Sequence, residues 1–410
     1  MKQKGASMQT VFFHIDVNSA YLSWTSVENI KTGHGEDLRQ IPAIIGGDSS
    51  MRHGIVLAKS IPAKKYRITT GEPITQALQK CPNLVIAPPD HALYHRYSEA
   101  LMEHLSAFCP DIEQVSVDEC YMDFTPVAAY YESPEQAAAI LKDSVRDTFG
   151  FTVNVGISDR KVLAKMASDF RKPDLVHTLY FHEIHEKMWP LPIEKLFLCG
   201  HSSAATLRKL GINTIGDLAL SDPSIIISHL KSHGQTLWNY ANGIDDAKVL
   251  TTQAEAKGIG NSTTLPEDVS TAPLAKETLL ALAESVAERL RQSRKLAGSV
   301  CIEIKYATFR SVSHQTLLHV PCDSADLLYA TACTLFDELW NGQPIRLLGL
   351  RTTRLTDPCE PVQMSLFDLT DPVPDKQKKL DQALDAIRAR YGKDSVVRGT
   401  FYQHKKSDDS

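Results

Sequence analysis

The chain has 410 residues, and its 44 Lys+Arg against 49 Asp+Glu give a formal net charge of −5. With 43% hydrophobic and 23% charged residues it is built like a soluble globular protein of several packed units, which excludes a fibrous or disordered chain. No apolar run nears the ~20 residues that cross a bilayer, Met1–Ile15 is too polar for a secretory signal, and eight scattered Cys with no C-x-x-C pair read as reduced cytoplasmic thiols, not a disulfide or zinc framework.

Taken in chain order, Val11–Val17 (Val-Phe-Phe-His-Ile-Asp-Val) is a short apolar run that predicts a buried strand carrying one acid. A second strand is expected over Ile112–Val117, followed at once by Asp118 and Glu119. Ser133, Pro134 and Gln136 form a start signal with a capping box, and Gly150 a stop, so a helix is predicted over 133–150 with Leu141, Val145 and Phe149 on its buried face. Residues 151–157 alternate as a strand, and strands alternating with amphipathic helices imply an α+β or α/β core. Pro190-Leu-Pro192 reads as a linker, after which short helices are punctuated by Gly200, Gly211, Gly216 and Gly243. Beyond Gly258 a sheet-plus-two-helices unit is expected. Its helices lie near 272–296 and 323–340, and its strands at Ser299–Ala307 and near 346–355. Leu279, Leu282, Val286 and Leu290 form one helix face, and Val300, Ile302, Ile304 and Tyr306 one strand face. The remainder is rich in Pro and charge, with one late helix over Asp375–Tyr391.

Asp16, Asp118 and Glu119 stand at strand ends. Singly, each reads best as a turn former or a solvated acid. An ionised carboxylate set in apolar β sequence is costly to bury alone, however, and a shared divalent cation would resolve that cost. Mg²⁺ takes hard oxygen ligands, one or two carboxylates plus substrate phosphates, and a pair of such ions serves in-line phosphoryl transfer.

Four ordered segments sharpen this reading: Asp16-Val-Asn-Ser-Ala-Tyr21; Gly54-Ile-Val-Leu-Ala-Lys-Ser-Ile-Pro-Ala-Lys-Lys65; Ser116-Val-Asp-Glu-Cys-Tyr-Met-Asp123; and Lys165-Met-Ala-Ser-Asp-Phe-Arg-Lys-Pro173. Together they resemble the Y-family, or lesion-bypass, DNA polymerases, nearest to the DNA polymerase IV branch, over roughly residues 10–360. The resemblance implies an α+β multidomain right hand. It would have a ferredoxin-like palm (1–17 and 92–180), small fingers (18–91), a helical thumb with a helix-hairpin-helix (181–252), an α/β little finger (255–358) and a tail (359–410). It further implies that Asp16, Asp118 and Glu119 are the catalytic metal ligands for two Mg²⁺, aided by the Val17 carbonyl and supported by Ser116. The amides at Ala20 and Tyr21 would face a dNTP triphosphate, Tyr21 would be the steric gate against a 2′-hydroxyl, and Lys172 would meet the phosphates, where developing negative charge calls for a cation.

The sequence departs from that family in the fingers. Where a Tyr and an Arg commonly hold the triphosphate, Ile61 and Lys64 stand here, and a Thr position is Ala58. Lysine cannot supply the bidentate fork of arginine, so Lys59 and Lys64 are expected to act as point charges. Ile55 and Leu57 fall where many relatives place small residues over the templating base. The stretch 196–219 resembles the helix-hairpin-helix, which offers backbone amides to DNA phosphate, but Leu198 replaces its usual first Gly and His201 and Ser202 replace lysines; a purely helical spacer is the alternative. Gln363-Met-Ser-Leu-Phe367 resembles the peptide with which bacterial polymerases bind the sliding clamp, with Met364, Leu366 and Phe367 as apolar anchors, Gln363 as a hydrogen-bonding group and Ser365 between them. His182 and His185 lack further ligands and read as a solvated helix face.

The expected function is that of a low-fidelity DNA-templated DNA polymerase in translesion synthesis and DNA repair. It would be a monomer working on primer–template DNA and dNTPs, with the clamp as partner and no membrane. A nucleotidyl cyclase would share the palm but has no use for the thumb, little finger and clamp peptide. A non-enzymatic clamp-bound scaffold has no reason to keep three mutually repelling acids. The net charge of −5 at face value opposes DNA binding, but it conceals basic stretches. Arg160–Lys172 has five basic residues against one acid, and Arg289–Arg354 nine against five. Local fields guide association more than the total does; a modest unaided grip on DNA and reliance on the clamp are expected.

Overall fold

The computed structural model describes residues 10–33, 35–47, 54–252, 255–360, 375–392 and 395–396. They fall into two units, one ending at Thr252 and one beginning at Glu255. Among the described residues no helix is long and apolar enough to cross a membrane. The peptide 363–367 lies outside them.

The first unit opens with β1 (Phe12–Val17) and α1 (Ala20–Thr32). A small three-stranded sheet follows, of β2 (Ala43–Gly46), β3 (Val56–Lys59) and β4 (Val85–Ala87) in the order β3-β2-β4, joined by α2 (Ile61–Lys64) and α3 (Ile74–Lys80). Next come α4 (His91–Ser106), β5 (Ile112–Gln114), β6 (Glu119–Asp123), α5 (Pro134–Phe149), β7 (Val153–Ser158), α6 (Lys161–Ser168) and β8 (Val176–Thr178). The large sheet has the order β5-β6-β1-β7-β8. The path β1-α4-β5-β6-α5-β7, with β1 antiparallel to both β6 and β7, is the ferredoxin-like split βαβ arrangement. Phe13, Ile15 and Val17 of β1 meet Leu93 and Leu101 of α4 and Leu141 and Val145 of α5 in one buried core.

Three of these elements depart from what the sequence predicts. The strand expected over Ile112–Val117 stops at Gln114, because Val115 and Ser116 both turn their amides onto the Glu119 carbonyl. Residues of β7 do not alternate in exposure: all six are buried, with α5 against one side and α6 against the other. At the start of α5, Ser133 accepts from Gln136 N as expected, but the Gln136 side chain accepts from Glu132 N instead of closing the box on Ser133.

The rest of the unit is helical: α7 (Ile184–Lys187), α8 (His201–Lys209), α9 (Ile215–Ala219) and α10 (Pro223–Ala241), packed on Val162, Leu163 and Met166 of α6. The segment expected to be a linker at Pro190–Pro192 is instead part of this body, since Pro192 pairs with Thr214 and Ile193 N donates to Asn213 O at 2.9 Å. Leu198 has φ +66, the left-handed conformation a glycine takes without penalty, at a cost of about 1–2 kcal/mol for a residue with a Cβ.

The second unit comprises β9 (Gly258–Val269), α11 (Ala272–Gln292), β10 (Leu296–Tyr306), β11 (Ser311–Cys322), α12 (Ala325–Leu339) and β12 (Ile345–Thr356), with α13 (Asp375–Tyr391) in the tail. Its sheet runs β11-β10-β12-β9, all antiparallel, and both long helices bury their apolar faces against it, Leu279, Leu282, Val286 and Leu290 among them. Two of the four strands, β9 and β11, are polar or exposed along much of their length and leave no period-two signal. Helix α13 is tied to α11 by an Arg291–Asp385 fork at 2.6 and 2.9 Å and by Arg388–Glu284 at 3.2 Å.

Candidate active site

Side chains alternate along β1, so the strand that sends Phe13, Ile15 and Val17 into the core presents His14 and Asp16 on its other face. In register, Asp16 opposes Glu119 of β6 and Asn154 of β7. Asp118 lies one residue before β6, and its carbonyl accepts from Val17 N at 3.0 Å, which ties the two acid-bearing strand ends together. Ser116 Oγ donates to Asp118 Oδ1 at 2.6 Å and accepts from Glu119 N at 3.2 Å, fixing both acids at the turn.

Helix α6 lies directly over this face, and a glycine allows it. A Cβ on Gly156 would stand 2.0 Å from the Ala164 carbonyl oxygen and 2.4 Å from Ser168 N. The helix end is held by His14 Nδ1, hydrogen-bonded to Ser168 Oγ at 2.8 Å, and by Asn154 Nδ2, which donates to Ser168 O at 3.1 Å and Arg171 O at 2.6 Å. Lys165 and Lys172 are thereby delivered among the acids. Lys165 Nζ is 2.7 Å from Glu119 Oε2 and 3.6 Å from Asp16 Oδ2; Lys172 Nζ is 2.8 Å from Asp16 Oδ1. The His14 ring and the Lys165 ammonium hold the Glu119 carboxyl down to about 2 against the cost of its burial. Asp118 moves the other way: burial, with Asp16 and Glu119 as like charges, raises its pKa despite the Ser116 hydrogen bond. Burial works against the charge on both lysines, but their carboxylate partners keep their pKa values above the ordinary range.

The donor set of Asp16, Asp118 and Glu119 consists of hard oxygens and suits Mg²⁺ or a similar divalent cation. As they stand, no three His, Cys, Asp or Glu side chains among the described residues form a closed ligand group. Asp16 and Glu119 are each paired with an ammonium group, Lys172 and Lys165 respectively. The chemistry of this donor set fits a metal.

A cavity of about 430 Å³ opens beside the acids. Asp16, Val17, Asp118, Ala20, Tyr21, Lys59, Lys64 and Lys172 all line it, so every nucleotide-site residue expected from the sequence is brought to one place; Glu119 sits off the wall. The amides at the start of α1 border it, and Ser19, at φ +52, makes no side-chain cap to them. Such free helix-start amides attract phosphate. The Tyr21 ring lies flat on Tyr94, centroids 4.3 Å apart and planes 5° from parallel. Burial, with Asp118 and Tyr94, raises the Tyr21 pKa, so its hydroxyl stays protonated. Burial and the neighbouring Lys64 lower that of Lys59.

Residues 15–169 match the impB/mucB/samB family model, and residues 256–366 match the C-terminal domain of that family. The DNA polymerase IV of Clostridium acetobutylicum is 44% identical over 97% of this chain and its own full length. The chain belongs to the DNA polymerase IV family. Within that family, the DNA polymerase IV of Acetivibrio thermocellus is 33% identical, over 97% of this chain and 99% of its own. A Y-family DNA polymerase chimera matches the structure with a TM-score of 0.73 over 85% of this chain and 99% of the chimera at 19% identity, which shows that the fold is the Y-family one.

The departures from the family pattern lie on the same cavity region. Ile61 opens the short helix α2, half exposed, and Lys64 closes it, while Ser60 caps it by accepting from Ala63 N at 3.1 Å. Sequence reasoning missed His14, Lys165 and Asp169. For His14 a signal existed, since it lies two residues before Asp16 and therefore on the same strand face. Lys165 and Asp169 stand at four-residue helical spacing within 165–173, a segment in which the resemblance marks only Lys172.

Proposed function

We propose that the chain is a DNA-directed DNA polymerase of low fidelity acting in translesion synthesis, working at the cavity between β1, α1 and β3. The observation that carries this is the convergence, beside two acids paired in register, of a helix start, a stacked tyrosine and three lysines on one wall. It binds template DNA and dNTPs, and its fold carries a divalent-metal dependence.

Asp16, Asp118, Glu119 and the Val17 carbonyl would hold the metal, proposed as two Mg²⁺, which supply neutralisation of the phosphates and a more acidic primer 3′-hydroxyl. The α1 amides at Ala20 and Tyr21 cradle the triphosphate, and Lys172, Lys64 and Lys59 place point charges on it. In the reaction the primer 3′-oxygen bonds to the α-phosphorus as the bond to pyrophosphate breaks in line, and the hydroxyl proton passes to solvent water. Positioned cations then count most as charge develops on the leaving pyrophosphate. Tyr21 lies under the sugar.

By the same reading the large sheet with its helices is the palm (1–17 and 92–180), with fingers over 18–91, a thumb over 181–252 and the little finger over 255–358. The α8 start after Leu198 and the basic stretch Arg289–Arg354 contact DNA phosphate without reading sequence. The reading is tested by primer extension with Mg²⁺ on a primed template; absence of template-directed extension by the wild-type chain would reject it.

Two finer parts carry their own tests. With the fingers' Arg replaced by Lys64, its ammonium is one of few free charges on the nucleotide, so Lys64→Ala should raise the dNTP KM by about tenfold, one charged contact of roughly 1.5 kcal/mol. An unchanged KM would remove Lys64 from the nucleotide site. Residues 363–367 are proposed as the peptide for the sliding clamp, and the chain as a cytoplasmic monomer. Deleting 363–367 should abolish clamp-stimulated synthesis and spare basal extension, and stimulation that persists would reject the peptide's role.

A further inference from the structure

Asp169 follows directly on α6 and lies outside the acids at the strand ends, yet it touches both lysines that sit among them. Its Oδ1 is 2.9 Å from Lys172 Nζ and its Oδ2 is 3.5 Å from Lys165 Nζ. The Lys172 ammonium is thus shared almost evenly between two carboxylates, Asp16 at 2.8 Å and Asp169 at 2.9 Å. Lys165 is not shared in this way. It stays close to Glu119 at 2.7 Å, with Asp16 and Asp169 both about one ångström further off.

The two lysines also differ in freedom. Lys165 is only 12% exposed, while Lys172 is 31% exposed. The backbone just before Lys172 is pinned by the Asn154 bond to the Arg171 carbonyl. Lys172 lines both the 430 Å³ cavity and an adjoining one of about 250 Å³, and it stands between them.

We propose that Asp169 is a positioning residue that keeps Lys172 at the edge of the acid cluster while Lys172 gives up Asp16. One ammonium then serves two partners, Asp16 and the incoming phosphates. This rests on the reading of Asp16, Asp118 and Glu119 as metal ligands. Lys172 is then a resident cation that a divalent ion must displace from Asp16. Asp169 eases the displacement, because it leaves Lys172 a second carboxylate of almost equal reach. Without Asp169 the ammonium would settle on Asp16 alone and compete harder.

The test uses Mn²⁺, which takes the same hard oxygen ligands, bound to the full chain without DNA or nucleotide and followed by the electron paramagnetic resonance of the free ion. Lys172→Ala should tighten Mn²⁺ binding and Asp169→Asn weaken it, each by about two- to fivefold, the scale of a partly exposed ion pair. In the Lys172→Ala background, Asp169→Asn should have no further effect. An equal weakening in both backgrounds would mean that Asp169 acts only as a distant charge, and would overturn the proposal. So would Lys172→Ala binding Mn²⁺ no better than wild type while Asp118→Ala still abolishes binding. If Mn²⁺ binding does not depend on Asp118, the metal assignment itself fails, and this inference with it.

Discussion

Asp118→Ala should reduce primer extension by about 10³-fold or more, since several kcal/mol of charge stabilisation in the transition state go with a metal ligand. Of the three acids, Asp118 is the one with no lysine partner among the described residues: Asp16 is held by Lys172 and Glu119 by Lys165, while Asp118 is held by the Ser116 hydroxyl. Its carboxyl is half-buried near two like charges, and its pKa is raised accordingly. A raised pKa in the fold means that the ionised group is less favourable there than in the unfolded chain, so at neutral pH the charge of Asp118 opposes folding. The same substitution should therefore leave the melting temperature unchanged or raise it. Activity and stability moving in opposite directions is what a retained repulsive acid predicts. Extension within tenfold of wild type would reject Asp118 as a ligand; a large fall in melting temperature would show that the residue is structural.

The sequence carries the placement of these acids well, because β1 is short, apolar and interrupted by polar residues only where the site requires them. The helices with strong stop signals were equally legible: α5 runs to Gly150, which takes the left-handed φ of +79, and the late helix matches its expected bounds. What escaped was decided by tertiary contact. Strand β11 is mostly exposed and follows the edge of its sheet, so nothing in its alternation marks it. The acid–lysine network escaped for a related reason. Lys165 is near its partner acids only because Gly156 lets α6 lie flat on β7, and that closeness joins residues 46 positions apart. Seen as a segment, Lys165 and Asp169 are two charges on a helix turn, which is ordinarily a solvated face. Leu198 shows the opposite case: a departure visible in the sequence as a missing glycine returns in the structure as a leucine at φ +66. The turn is kept, and the cost of keeping it is borne locally.

Tyr21→Ala should admit ribonucleotides, lowering discrimination against a 2′-hydroxyl by about 10²-fold. That corresponds to about 3 kcal/mol of overpacking relieved. The magnitude depends on the ring being unable to retreat, and the contacts around it argue that it cannot. Tyr21 lies flat against Tyr94 at 4.3 Å, and His91 closes on it edge-on at 6.3 Å. Thr25 Oγ1 then lies 3.2 Å from the Tyr94 hydroxyl and donates to the Tyr21 carbonyl at 2.8 Å, so the supporting ring is itself held from the helix that carries Tyr21. On the proposed reading, a sugar bearing an extra hydroxyl would meet a wall backed by two rings and a hydrogen bond. If the barrier is the ring and not its hydroxyl, Tyr21→Phe should keep the exclusion and separate shape from hydrogen bonding. The measurement is the ratio of kcat/KM for a dNTP to that for the matching ribonucleotide in wild type and both variants. If Tyr21→Ala kept the wild-type ratio, the gate would have to lie elsewhere on the cavity wall. If Tyr21→Phe lost it along with Tyr21→Ala, exclusion would rest on the phenolic hydroxyl, and the stacked pair would serve only to hold that hydroxyl in place.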